Sequence, residues 1–215
     1  IDFMSLPPFA YVLASKSNPV EAIAVTGTAQ TGPRTYQSAL ITHRRTGVTR
    51  LEDLPAAAKQ FRFNFTDPAS NSGHLVPQAR LAELGLITER DFASTDFTLS
   101  HIVSVFNVTF GRAEAAGVSN SVLQRLIAKG RVRREDIVTL WTSDPLPNGP
   151  IAVRKNLPPE FKRELQQALV DLATELERQL ATKQDMIVPT PLLHHITSEN
   201  GTSVLNIETH DGVRT

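Results

Sequence analysis

The run Phe61-Arg62-Phe63-Asn64-Phe65 passes into Asp67-Pro68-Ala69-Ser70-Asn71-Ser72-Gly73 and then directly into a helical pattern. Phe61 to Phe65 alternates large apolar and polar side chains, the two-residue period of a strand. From Ser72 to Leu84, residues Leu75, Ala79 and Ala82 fall on one face, and Gly85 is placed to end the helix. Strand, short polar turn and helix follow one another with almost no spacer. Other short apolar runs bounded by Gly, Pro, Asp or Asn predict strands at Ala22 to Val25, Ser38 to Thr42, Ile137 to Trp141 and Ile151 to Arg154. Strands alternating with helices are the signature of an α/β protein.

Two more helices are legible. Asn120 to Lys129 turns Val122, Leu123, Leu126 and Ile127 inward, with Gly130 as its C-cap. After Leu157-Pro158-Pro159, residues Phe161, Leu165, Ala168, Leu169, Leu172 and Leu176 recur at helical spacing. That stripe reads as a core-facing helix rather than a partner-binding one. His101 to Phe110 is ambiguous, because Ile102, Val103, Val105, Val108 and Thr109 are β-branched and favour a strand by propensity. The tail after Asp185, with Pro189, Pro191, His194 and His195, shows little periodicity and is expected to be loosely ordered.

Charge and cysteine usage exclude whole classes of function. Lys plus Arg and Asp plus Glu are 22 each among 215 residues, so no basic field exists to neutralise a nucleic-acid backbone. The one basic cluster, Lys129, Arg131, Arg133 and Arg134, runs straight into Glu135 and Asp136 and reads as a solvated turn. With no cysteine there is no disulfide, no thiolate nucleophile and no Cys-type zinc site. No apolar run approaches the roughly 20 residues of a membrane helix. The first residues, Ile1-Asp2-Phe3-Met4, do not look like a natural start and suggest a mature or shortened form.

The turn at Ser70-Asn71-Ser72-Gly73 is the best candidate for chemistry. The first N–H groups of a helix lack intrahelical partners, and the helix dipole adds partial positive charge there. Ser70, Asn71 and Ser72 add side-chain donors, and Gly73 would let a ligand approach the backbone. The competing reading is that Ser70 or Ser72 simply caps the helix. His74, in the first turn, could donate to a ligand or face solvent. Leu6-Pro7-Pro8-Phe9-Ala10-Tyr11-Val12-Leu13 offers a second, weaker helix start. The six histidines form no HExxH or similar metal pattern, and no serine sits in a GxSxG elbow. Asn64-Phe65-Thr66, Asn107-Val108-Thr109 and Asn200-Gly201-Thr202 fit the glycosylation triplet, a pattern that arises often by chance. No acid–base or nucleophile constellation assembles, so an enzyme is not expected, and neither a cofactor nor a metal is called for.

Several segments, taken in order, resemble the phosphonate/phosphite/hypophosphite-type substrate-binding proteins of bacterial ABC transporters. They are Pro8-Phe9-Ala10-Tyr11-Val12, Tyr36-Gln37-Ser38-Ala39-Leu40-Ile41, and Asp67-Pro68-Ala69-Ser70-Asn71-Ser72-Gly73-His74-Leu75-Val76-Pro77. Val118-Ser119-Asn120-Ser121-Val122-Leu123 and Lys129-Gly130-Arg131-Val132 follow. The last is Trp141-Thr142-Ser143-Asp144-Pro145-Leu146-Pro147-Asn148-Gly149-Pro150-Ile151, leading into Arg154-Lys155-Asn156-Leu157-Pro158. The resemblance implies an α/β, two-lobed type 2 periplasmic-binding-protein fold with its ligand in the interlobe cleft. Residues 1–43 plus 150–215 would form lobe 1 and residues 44–149 lobe 2. The family fold also predicts a βαβ segment ahead of Ile1, so part of the N-terminal lobe is expected to be lacking.

In the family the hydroxyl-rich helix start holds the oxyanion, which carries over to Ser70, Asn71 and Ser72. A tyrosine before the crossing strand, here Tyr36, and a histidine opening the next helix, here His101, also line the pocket, and the latter favours a helix for His101 to Phe110. Members that bind aminoalkylphosphonates place acidic residues where this chain has Ser121 and Gly149, and the acidic stretch expected near Glu114 to Val118 carries Ala115 and Ala116. A carboxylate there would pair with a ligand ammonium. Its absence points to an amine-free ligand such as phosphite, phosphate or methylphosphonate, with Ser121 as a neutral contact. The resemblance further implies a periplasmic location and a membrane ABC permease as partner. The alternative is a sensing domain that presents its bound oxyanion to a histidine kinase.

Overall fold

The computed structural model describes residues 2–28, 32–182, 191–199 and 202–209. The chain forms two compact units, Ile1–Thr35 with Pro147–Thr215, and Tyr36–Leu146. It runs through β1 (Phe3–Ser5), α1 (Pro8–Ser17), β2 (Val20–Thr28), β3 (Gly32–Pro33) and β4 (Thr35–Tyr36). The second unit continues with β5 (Ser38–His43), α2 (Leu54–Ala57), β6 (Arg62–Phe65), a π-turn (Asn71–Leu75), α3 (Val76–Glu83) and α4 (Thr88–Asp91). Next come β7 (Ser94–Phe97), α5 (His101–Thr109), β8 (Ala115–Ser119), α6 (Asn120–Ala128) and β9 (Ile137–Thr142). The chain then returns through β10 (Leu146–Pro147) to β11 (Pro150–Arg154), α7 (Pro159–Thr182), β12 (Pro191–Glu199) and β13 (Thr202–Thr209).

In the first unit the sheet order is β1-β11-β2-β13-β12, with β3 paired to β2. Among the described residues, its buried apolar side chains are Ile23 and Ala24 on β2 and Ala152 and Val153 on β11. Pro7 and Pro8 open α1 at no hydrogen-bond cost, and the Tyr11 N–H bonds back to the Pro7 carbonyl at 2.9 Å. α7 is seated on β2 by Gln166, whose side-chain amide donates to the Ile23 carbonyl at 2.9 Å. The apolar stripe on α7 is split: Leu165 and Leu169 are half-buried, whereas Phe161 and Leu172 are exposed. A wholly core-facing helix is therefore not what forms. The tail expected to be loosely ordered contains the antiparallel pair β12–β13. Asn200-Gly201, the dipeptide between those strands in sequence, is a strong hairpin signal that an argument from helical or strand periodicity passes over.

The second unit has a five-stranded sheet in the order β7-β6-β8-β5-β9, with β5 antiparallel to both its neighbours and β6 parallel to β7 and β8. Side chains alternate across it. Leu40, Phe63, Phe65 and Leu81 build the core on one face, and Ala39, Ile41, Val118 and Leu123 build it on the other. β8 is buried along its whole length yet consists of Ala115-Ala116-Gly117-Val118-Ser119. Residues so small carry little strand propensity, and sequence reading missed it. His101–Thr109 is helical despite its β-branched residues. Ser100 caps its start, accepting from the Val103 N–H at 3.5 Å, and Val105 and Val108 bury one face, so packing overrides propensity.

The helix expected from Ser72 begins as a π-turn, and Pro77 explains why. Proline has no N–H to give to the residue four back, and its ring clashes with that carbonyl in a regular α-helix. The Leu75 N–H instead reaches back five residues to the Ser70 carbonyl at 3.1 Å. The carbonyls this frees find other donors: Gly73 accepts from the Thr66 N–H at 3.0 Å, and Ser72 from the Ser38 hydroxyl at 2.7 Å. Gly73 has an internal reason to be glycine. A Cβ there would lie 1.7 Å from Thr66 Oγ1, so the space expected for a ligand is filled by Thr66. Gly117 likewise admits Pro77, whose Cγ would be 2.8 Å from an added Cβ. Gly73→Ala is expected to cost about 1–3 kcal/mol by overpacking, measured by urea denaturation, and Thr66→Gly in the same chain, which also removes the Cβ that would lie 2.7 Å away, should relieve the clash and recover part of that loss.

Candidate functional site

Three helices of the second unit begin just after the ends of parallel strands: the π-turn after β6, α5 after β7 and α6 after β8. The starts of α5 and α6 are bonded to each other directly, and the π-turn is tied to them through β5. Ser38 pairs with Ser119 across β5 and β8, and its hydroxyl donates to the Ser72 carbonyl. The backbone N–H of Ser119, the residue before α6, donates to His101 Nδ1 at 3.0 Å. Tyr36 shares a side-chain hydrogen bond with Ser72. In an α/β sheet this edge, where strands end and helices begin, is where ligands are received.

Tyr36, Ser72 and His101, all expected from sequence, thus belong to one bonded group. Ser70 accepts from the Gly73 N–H at 3.0 Å, so its oxygen caps the helix while its proton is left to be donated elsewhere. Asn71 opens the π-turn half-buried between Ser70 and Ser72. Ser121 is exposed in the first turn of α6. His74 is not part of the group. Its Nδ1 lies 2.9 Å from the Pro68 carbonyl, and its ring meets Phe65 and Phe97 edge-on at 4.8 and 4.9 Å. It is a packing residue.

Three further residues emerge only in the structure. Ser38 and Ser119 hold the helix starts together, as described. Ser143 braces β5, where its hydroxyl accepts from the Ser38 N–H at 3.0 Å and donates to the Asp144 carbonyl at 2.6 Å. All three stand in the segments that carry the family resemblance, but nothing local in the sequence marks a serine as a tie between elements.

The group contains no ionised side chain: Tyr36, Ser38, Ser70, Asn71, Ser72, His101, Ser119 and Ser121 are neutral at pH 7. Burial lowers the His101 pKa and keeps the ring uncharged. Burial also raises the Tyr36 pKa above 10, partly offset by the bond to Ser72. Helix termini each contribute about half a positive charge, so the group's field is electropositive without a counter-ion. Elsewhere, Gly149 excludes any side chain, because an added Cβ would sit 1.7 Å from the Leu6 carbonyl oxygen. Asn64 and Asn107 of two glycosylation triplets are bonded to each other at 2.8 Å, and the third, at Asn200, lies outside the described residues. Arg133 pairs with Asp136 at 2.7 Å, as a solvated turn should. Among the described residues no cluster of three His, Asp or Glu side chains could hold a metal, and no helix is long and apolar enough to cross a membrane.

The fold is that of type 2 periplasmic-binding proteins. A binding-protein component of an ABC phosphonate transporter from Pseudomonas aeruginosa superposes with a TM-score of 0.71 at 27% identity, over 80% of this chain and 56% of that one. Residues 1–189 match the family model for the periplasmic substrate-binding protein of phosphonate ABC transporters, and the chain belongs to that family. The phosphonates-binding periplasmic protein of Escherichia coli is 30% identical over 57% of this chain and 36% of its own length. The phosphate-import protein PhnD of Mycolicibacterium smegmatis is 28% identical over 74% of this chain and 51% of its own. The chain therefore spans about a third to a half of the curated relatives it matches.

The environment of Tyr36 gives a direct optical test. In the ultraviolet difference between wild type and Tyr36→Phe, phenolate absorbance should appear with a midpoint above pH 10. A midpoint at or below 10 would mean that the ring is solvated.

Proposed function

We propose that this chain captures a small, amine-free phosphorus oxyanion, such as phosphite, phosphate or methylphosphonate, and delivers it to the membrane permease of an ABC importer. The observation that carries the reading is the joining of three helix starts by hydroxyl and imidazole groups, with no ionised side chain among them. Ser70, Asn71, Ser72 and Tyr36 supply donors from one side, and His101 and Ser121 from the other. A tetrahedral oxyanion presents acceptors in several directions, and donors from separate helices answer that shape. An anion needs no fixed counter-charge where helix termini and hydroxyls converge, and such bonds are charge-assisted and strong.

The same argument sets specificity. A ligand ammonium placed here would meet donors rather than a carboxylate, which is a repulsive pairing. Family membership supports uptake rather than turnover, and with it a periplasmic site of action. Isothermal titration with phosphite, methylphosphonate and 2-aminoethylphosphonate tests the reading. The two amine-free ligands should bind more tightly, and a clear preference for the aminophosphonate contradicts it. Ser72→Ala should weaken phosphite binding roughly 10- to 100-fold, the effect of one hydrogen bond to a charged group, while the circular dichroism spectrum stays unchanged.

A further inference from the structure

His101 does more than add one donor, and the reason lies in its bond to Ser119. A backbone N–H can only donate, so the nitrogen it meets, Nδ1, carries no proton. A neutral imidazole then has its single proton on Nε2, at the far edge of the ring. Ser119 thereby settles a tautomer that most histidines leave open. We propose that this bond makes His101 a specificity-determining residue, a neutral Nε2–H donor whose protonation abolishes oxyanion capture. The proposal rests on the oxyanion reading above.

An imidazolium carries a proton on both nitrogens. Its Nδ1–H would point at the Ser119 N–H across 3.0 Å, and two donors cannot bond. The ring or the start of α6 must then move, and either motion separates His101 from the Ser119–Ser121 turn. Attraction between a bound anion and the imidazolium acts the other way, so the two effects have opposite signs. α5 packs on β8, β5 and α6, and the titratable groups on those elements are His43 of β5 and Arg125 of α6. Asp96 lies on β7, just ahead of α5. Burial is the sole cause of the shift at His101, so none of these groups sets its charge. In the neutral form, a bond donated from Nε2 to the ligand also makes Nδ1 a better acceptor, which ties ligand binding to the α6 start.

Phosphite affinity of the full chain, measured calorimetrically from about pH 8 to pH 5, gives the test when compared with His101→Asn. The asparagine carbonyl can accept from the Ser119 N–H and does not titrate, and the ligand's own titration is common to both proteins. The ratio of wild-type to variant affinity is expected to fall about tenfold per pH unit once the ring protonates. A flat ratio, or one that rises as pH falls, overturns the proposal. Nitrogen-15 spectra of the wild-type ring provide a second readout that needs no variant. They should show the Nε2–H tautomer at neutral pH, and a ring pKa that is lowered by saturating phosphite. An Nδ1–H tautomer, or a pKa unchanged or raised in the complex, overturns it equally. Failure of phosphite to bind at any pH would instead strike the oxyanion reading, with the tautomer still decided by the free-state spectrum.

Discussion

Pro77 sets the geometry on which the rest of the second unit depends. Because it offers no N–H and crowds the carbonyl four residues back, the helix after β6 cannot start as a regular α-helix, and a π-turn forms instead. The carbonyls of Ser72 and Gly73 are then free to bind outward, to the Ser38 hydroxyl and the Thr66 N–H. Two glycines complete the fit: Gly73 makes room for Thr66, and Gly117 makes room for Pro77 itself. One proline thus dictates where Ser70, Asn71 and Ser72 stand relative to β5 and β8.

That arrangement supports the proposal that an anion is held here without ionised side chains. A buried lysine or arginine would need its own partner in the unliganded protein, because an unpaired buried charge is costly. Hydroxyls, amide N–H groups and a neutral imidazole bear no such cost. In the free protein they bond among themselves, as Tyr36 does with Ser72 and Ser119 with His101. The serine that ties β5 to the π-turn is in turn fixed by Ser143. A donor array held this firmly loses little freedom when a ligand arrives, which favours affinity.

Much of this was legible in the sequence, for identifiable reasons. Five strands and the helices of α3, α6 and α7 were marked by strong periodicity or by caps such as Gly85 and Gly130. The helix start at Ser70–Gly73 was visible because small polar residues cluster there between a strand and an apolar stripe. What sequence could not supply was tertiary in origin. β8 is strand only because its small residues fit between two packed faces, and α5 is helix because Val105 and Val108 are buried. The roles of Ser38, Ser119 and Ser143 depend on pairings between residues 34 to 105 positions apart or across neighbouring strands, which no local pattern encodes. Gly73 was read as admitting a ligand to the backbone, but the group that approaches it is Thr66.

On the proposed reading, three helix starts act as one anion site. Amide nuclear magnetic resonance during a phosphite titration tests it most directly. Resonances of residues 70–73, 100–102 and 119–121 should all shift along one binding curve with a single dissociation constant. Shifts confined to one helix start, or centred on the basic turn at Lys129–Arg134, would contradict the account.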